Sequence, residues 1–440
     1  MQMPLKWFKI KAVDEDIDRR PPRFIEDMEE EEEEIPDLPE DPFGAVMLNV
    51  SGASLPEGTE PSGSLSAFGW TVFDTVGEGN VVFSPYGIYM AVGMLANGAE
   101  PGSDTEAELL NATGSSSRDS LNAYMAVLLK AVGEHWRSRF CSDSLVLVNS
   151  SMVFGGDVNE DYRNRVARYC RGAVVEEDIS GNLSGVRKKI TDWVNLKSYG
   201  MIPEYESQIG KDTLCDLLNV VYFKGAWESK FSKGYTKDEK FNNADGSVSK
   251  VKMMHKTVSD IHFYSDGKYK AISLPYRDAD QRMCLILPND GESLDVLSSW
   301  KSEALEYREK FIGRLRSSRI VMAELSLPRF TMSATFSLDD VFRALGLKNA
   351  LGGNSRFTGV IDGSNLFFGS GTHQAKIKVD ENGTEAAAVT EVAMVGCAGP
   401  RKEPEKVVFR CDIPFLYVLL DGEDDKYLFM GYAGDGRGFA

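Results

Sequence analysis

Few side chains in this sequence are able to carry covalent or metal chemistry. There are four histidines (His135, His255, His262, His373) and six cysteines (Cys141, Cys170, Cys215, Cys284, Cys397, Cys411). No cysteine pair has C-x-x-C spacing and no histidine stands at ligand spacing, and H-E-x-x-H, G-x-S-x-G and phosphate-cradling glycine loops are absent. The histidines are therefore read as packed or surface residues and the cysteines as free or buried thiols. No enzyme, metal or cofactor is expected. A different chemistry is written between Lys376 and Pro400. Side chains of a strand alternate between two faces. By that parity Thr384, Ala386, Ala388, Thr390, Val392, Met394 and Gly396 share a face with no charge, and Glu385 and Glu391 fall on the other. A strand whose buried face is small can slide between existing strands at low steric cost. Read alone, the run also suits a flexible Ala/Gly loop.

A strand that enters a sheet needs a sheet to enter, and the rest of the pattern supplies one. Leu65, Phe68, Trp70, Val72, Phe73 and Val76 predict an amphipathic helix. Residues 86–97, behind Ser84-Pro85, predict a buried helix, and residues 186–199 a helix carrying Trp193. Strands are expected over residues 145–154, 217–223, 269–274, 283–287, 321–330, 407–409, 415–419 and 427–432, with a further helix over 336–345. Helices and strands intersperse without a regular βα repeat, so the fold class is mixed α and β with more than one sheet.

Charge narrows the function further. The 440 residues carry a net charge of −18, which argues against nucleic acid and anionic membrane surfaces as partners. No apolar run approaches the roughly 18 to 20 residues of a membrane span. Residues 1–60 stand apart. Between Phe24 and Gly44 there are 11 acidic residues and no basic one, and Glu29–Glu34 is unbroken. Such a block repels itself and has little to pack, so it reads as an acidic, disordered extension before a folded domain over 61–440. Lysines interrupt the first thirteen residues, which leaves no secretory h-region and favours a cytoplasmic protein, or one released without a cleavable signal. Sequons at Asn49, Asn111, Asn149, Asn182 and Asn382 favour secretion as the alternative. Residues 119–140 hold only Lys130, Arg137 and Arg139 as bases, too few for a heparin-type patch.

From about Ser64 to Tyr432 the sequence resembles the serpins, with the matching segments in family order. Asn80-Val-Val-Phe-Ser-Pro85 resembles N-[IV]-x-F-S-P, and Trp193-Val194 with Gly200-Met-Ile202 resembles the family's helix end. The run Leu217-Leu-Asn-Val-Val-Tyr-Phe-Lys-Gly-Ala-Trp227 is similar to the core strand L-x-N-A-x-Y-F-K-G-x-W. Lys252-Met-Met254, Leu274-Pro-Tyr276, Leu327-Pro-Arg-Phe330, Phe409-Arg-Cys-Asp-Ile-Pro-Phe415 and Leu428-Phe-Met-Gly431 match further segments. Asp380-Glu-Asn-Gly-Thr-Glu-Ala-Ala-Ala388 matches the reactive-loop hinge. Gly87, Cys411 and Ile413 depart from the usual Ser, Ala and His, and the usual Asn-Pro ending is missing.

The resemblance implies a metastable serpin fold of about nine helices and three β-sheets with an exposed reactive-centre loop at about 381–406. It implies a hinge at Glu381, Gly383, Thr384, Glu385, Ala386, Ala387 and Ala388. It also implies a target protease as partner, joined in a covalent acyl complex to a monomeric inhibitor. After acylation the cut loop enters the central sheet and the protease is trapped. Counted from hinge Glu381, the specificity residue is Cys397, so the bond is Cys397–Ala398 and the target elastase- or chymotrypsin-like. Pro414 lies seventeen residues after Cys397, a longer separation than the family usually has, and an excess on the hinge side would make the bond Arg401–Lys402 and the target trypsin-like. A cysteine protease target, or a non-inhibitory storage, carrier or chaperone role, are the family's other possibilities.

Overall fold

The structure, a computed structural model, describes residues 40–44, 58–75, 79–131, 138–152, 156–277, 279–350, 354–366, 368, 370–384, 405–422 and 424–439. In chain order the elements begin with α1 (Leu65–Thr75), β1 (Val81–Phe83), α2 (Pro85–Gly98), α3 (Asp104–Thr113), α4 (Arg118–Ala131) and β2 (Ser138–Asn149). They continue with α5 (Glu160–Cys170), β3 (Gly172–Glu177), α6 (Leu183–Lys197), β4 (Cys215–Ala226), β5 (Lys237–Asn242), β6 (Val248–Ser265), β7 (Tyr269–Pro275) and β8 (Arg282–Pro288). Next come α7 (Val296–Ser302), α8 (Leu305–Arg316), β9 (Arg319–Pro328), β10 (Phe330–Ser337), α9 (Leu338–Ala344), β11 (Phe357–Ile361) and β12 (Ser364–Leu366). The last are β13 (Ser370–Val379), β14 (Gly383–Thr384), β15 (Lys406–Arg410), β16 (Phe415–Asp421) and β17 (Lys426–Ala433). Nine α-helices and three sheets thus stand among the described residues, as the resemblance implies.

The sheet that takes in the matched hinge segment has six strands in the order β10-β13-β14-β4-β2-β3. A nine-stranded sheet runs β1-β17-β16-β8-β7-β6-β9-β15, with β5 on β6, and a two-stranded sheet joins β11 to β12. Strand β4 is almost wholly buried along its length because both faces of the six-stranded sheet are covered. Its odd-numbered residues Leu217, Val221 and Phe223 join the main core. Its even-numbered Leu218 and Val220 join a second core with Leu145 and Leu147 of β2 and Val186, Ile190, Trp193 and Val194 of α6. This explains why β4 reads as a continuous apolar run instead of an alternating one. Helix α2 is buried on every side, so it shows no polar stripe. Its start is set locally: Ser84 Oγ accepts from the N–H of Gly87, and Pro85 occupies the first turn.

Three sequence expectations need correction. The strand expected over 321–330 is the end of β9 and the first residue of β10, and the helix expected from 336 starts at Leu338. The chain stays extended while it leaves the nine-stranded sheet at Pro328 and joins the six-stranded one at Phe330, so the pattern shows no break. Strand β2 ends at Asn149 instead of running on to 154, because the Asn149 side chain organises a turn there. Its Oδ1 accepts from the N–H groups of Ser151 and Ile179, and its Nδ2 donates to the Thr213 carbonyl. Asn149 is fully buried, which removes it from the candidate glycosylation sites. Cys141, Cys170, Cys215, Cys284 and Cys411 are buried thiols outside any disulfide, as expected. No helix among the described residues is long and apolar enough to cross a membrane.

Candidate functional site: the hinge and the strand seam

Strands β4 and β13 lie side by side and parallel, in register from Asp216 opposite Ser370 to Val221 opposite Ala375. Past that point they part, and β14 lies between them, antiparallel to both. Thr384 faces Val379 on one bank and Gly225 on the other, and Gly383 faces Ala226. The seam is therefore closed by direct pairing along one stretch and filled by two hinge residues at its other end. Both glycines are needed at this crowded spot: a Cβ on Gly383 would lie 2.1 Å from the Gly225 carbonyl oxygen.

Every hinge residue in view has partners. Thr384 is 0% exposed, and its Oγ1 is 2.6 Å from the Tyr276 hydroxyl. Burial pushes that phenol well above its usual range, so it stays a neutral donor or acceptor. Tyr276 stacks on Trp227 at 4.6 Å and meets Phe223 edge-on. Trp227 holds the turn before the hinge, as its Nε1 donates to the Asp380 carbonyl and its N–H to the Asn382 carbonyl. The Glu381 carbonyl accepts from the Phe231 N–H, and its carboxylate accepts from Thr236 Oγ1 at 2.7 Å, with Arg329 4.0 Å away.

Farther down the seam sits His373, which sequence reasoning marked only as structural. It is fully buried on β13 directly opposite Asn219 of β4. Its Nε2 accepts from the Ser84 N–H at 3.0 Å and its Nδ1 is 2.8 Å from Asn219 Oδ1. Accepting at one nitrogen requires a neutral ring, with the proton on Nδ1. Burial agrees, lowering its pKa to about 3. Asn219 Nδ2 in turn reaches Ser144 Oγ, and a Cβ at Gly87 would lie 2.3 Å from Asn219 Oδ1. The Gly at this family-atypical position is thus matched to the asparagine facing it.

The structure brings Glu381, Gly383 and Thr384 together at the top of the seam. Glu385, Ala386, Ala387 and Ala388 lie outside the described residues, as do Cys397, Ala398, Arg401 and Lys402. Sequence reasoning missed the Tyr276–Thr384 contact and the His373–Asn219 bridge. The only available signal was that Leu274-Pro-Tyr276 and Leu217–Trp227 are matched segments.

A family model described as serpin (serine protease inhibitor) matches residues 65–434. The chain is 29% identical over 411 residues to an uncharacterized serpin-like protein of Thermococcus kodakarensis, covering 88% of this chain and 93% of that one. It is 29% identical over 374 residues to Serpin B3 of Homo sapiens, covering 80% and 93%. Among solved structures, the thermophilic serpin tengpin in its native state aligns with a TM-score of 0.73 at 23% identity, covering 84% of this chain and 93% of that one. Thyroxine-binding globulin in complex with thyroxine aligns with a TM-score of 0.72 at 20% identity, covering 85% and 98%. The family match begins at the first residue of α1 and ends just past β17, and the chain belongs to the serpin family.

Proposed function

We propose that this chain is a suicide-substrate inhibitor of a serine protease, working by insertion of its cut loop between β4 and β13. The observation that carries the reading is the seat of Thr384: the first strand pairings of an inserted loop already exist. Continuing that register places Ala386 between Phe223 and Ile377, Ala388 between Val221 and Ala375, and Thr390 between Asn219 and His373. These even-numbered positions face the main core, where only small uncharged side chains enter without clash or desolvation cost. Insertion must also replace the direct His373–Asn219 bond, with the Thr390 hydroxyl arriving between the two.

The chemical step is the protease's own. Its serine hydroxyl adds to the carbonyl carbon of the specificity residue, and the peptide nitrogen of the next residue leaves as an amine, which leaves an acyl ester. Water would normally hydrolyse that ester. Strand entry gains a full ladder of backbone hydrogen bonds and removes the protease from its competent geometry first. The chain supplies no catalytic group and is a substrate that does not let go. We place the bond at Cys397–Ala398, with an elastase- or chymotrypsin-like target. Arg401–Lys402 and a trypsin-like target form the second reading, favoured by the length of the segment before Pro414. A storage, carrier or chaperone role is disfavoured by the uncharged face that begins at Thr384. Incubation with elastase-, chymotrypsin- and trypsin-like enzymes should give an SDS-stable band near the summed mass with one of them. Mass spectrometry of the released peptide locates the bond. Loop cleavage by all three with no complex would overturn the inhibitory reading.

A further inference from the structure

We infer that Asp41–Gly44 is a clasp on α6 that slows entry of a strand into the β4–β13 seam. This rests on the insertion reading above. Although these residues fall in the acidic segment expected to be disordered, they form a defined turn. Gly44 N–H donates to the Asp41 carbonyl, Phe43 N–H donates to Asp41 Oδ1, and Gly44 takes a positive φ. The turn grips α6 in two places. Asp41 Oδ2, which solvent does not reach, lies 3.3 Å from Lys197 Nζ in the last turn of the helix. Phe43 packs on the second core, and Lys189 Nζ stands 5.8 Å over its ring while pairing with Glu177 at the end of β3. The two grips are eight residues apart, about 12 Å of helix.

The position of α6 gives the clasp its consequence. Its apolar face lies on β2 and β4, and the chain that leaves it crosses to the far bank. There the Met201 carbonyl accepts from Lys376 Nζ of β13 at 2.8 Å, and Tyr205 hydrogen-bonds the Thr372 side chain. Helix and continuation therefore bridge both sides of the seam. A strand entering it must push the banks apart by about 4.8 Å, which α6 has to accommodate by shifting. Contacts that hold α6 in place and are broken before the strand is seated raise the barrier to insertion.

A synthetic peptide with the sequence of residues 384–396, fluorescently labelled, serves as the inserting probe for the full uncut chain. Its uptake is followed on native gels. Asp41→Asn and Phe43→Ala should each take up the peptide severalfold faster than the parent. Asp41→Asn keeps the shape of the turn, so it reports even where Phe43→Ala folds poorly. Lys188→Ala, on the exposed side of the same helix, should match the parent. Combining Asp41→Asn with Lys197→Ala should add little to either alone. Parental uptake rates in both clasp variants, or slower ones, would overturn the clasp while leaving insertion intact. A parent that never takes up peptide would sink insertion and the clasp together.

Discussion

A single hydroxyl marks where the proposed mechanism starts. Thr384 is buried against Tyr276, so a charge there must be desolvated. Thr384→Arg should leave folding intact, since the hinge can disengage, but convert an inhibitor into a substrate, seen as cleavage without complex on a denaturing gel. Tyr276→Phe removes only the hydrogen bond. It should weaken the seat by about 1 kcal/mol and make the hinge easier to displace, read as faster proteolysis near residue 384. His373 gives a pH signature. Its pKa is lowered to about 3 by burial, against an ordinary value of 6.5. The unfolded chain therefore binds the proton first as pH falls. The neutral ring's contribution is intact above about pH 6.5 and is lost as pH drops toward 3, by at most about 1.4 kcal/mol for each pH unit. His373→Gln keeps a donor and an acceptor at the seam without titrating. Its unfolding midpoint, measured between pH 7 and 4, should fall less steeply than the parent's.

At the scale of elements, what could be read in advance depended on whether a signal was local. Helices α1, α2 and α6 and the strands around Leu217, Tyr269 and Tyr427 show their period or their unbroken apolar run, because each face meets one environment along its length. The passage from β9 to β10 was hidden, since a strand that changes sheets keeps an extended backbone and its apolar residues. The small-residue parity of the hinge was legible as a property of one strand, but its neighbours were not, since Tyr276 lies 108 residues away in sequence. Likewise His373 carried no mark of its partner Asn219, which a parallel register alone brings opposite. That register gives β14 its own test. Adding a Cβ at Gly383 would drive it into the Gly225 carbonyl, so Gly383→Ala should unseat β14. The expected result is a loop cut more readily by a non-target protease and more inhibitor consumed per protease trapped. Unchanged stoichiometry would mean that the two pairings of β14 do not guide entry.

For the whole molecule the unusual feature is a sheet whose central seam is closed in part by direct pairing of β4 with β13, a state that insertion would replace with a longer ladder. Cutting the loop should therefore raise the thermal unfolding midpoint well above that of the intact chain, the opposite of what a nick does to an ordinary domain. The acidic segment would add a second whole-molecule effect. Its 11 acidic residues between Phe24 and Gly44 would draw in a protease with a basic surface and raise the association rate at low ionic strength. Salt should erase that gain, with a screening length of about 8 Å at physiological strength. The clasp on α6 acts on a later step, and half of it is an apolar contact. Two truncations separate these effects. Removing residues 1–39 takes away nine of those eleven acidic residues and leaves Asp41–Gly44 in place, so it should slow inhibition of a basic protease at low salt only and leave peptide uptake unchanged. Removing residues 1–60 takes away the clasp as well and should speed uptake at every salt concentration. If the two truncations behave alike in both assays, the segment acts through charge alone and α6 is not held by it.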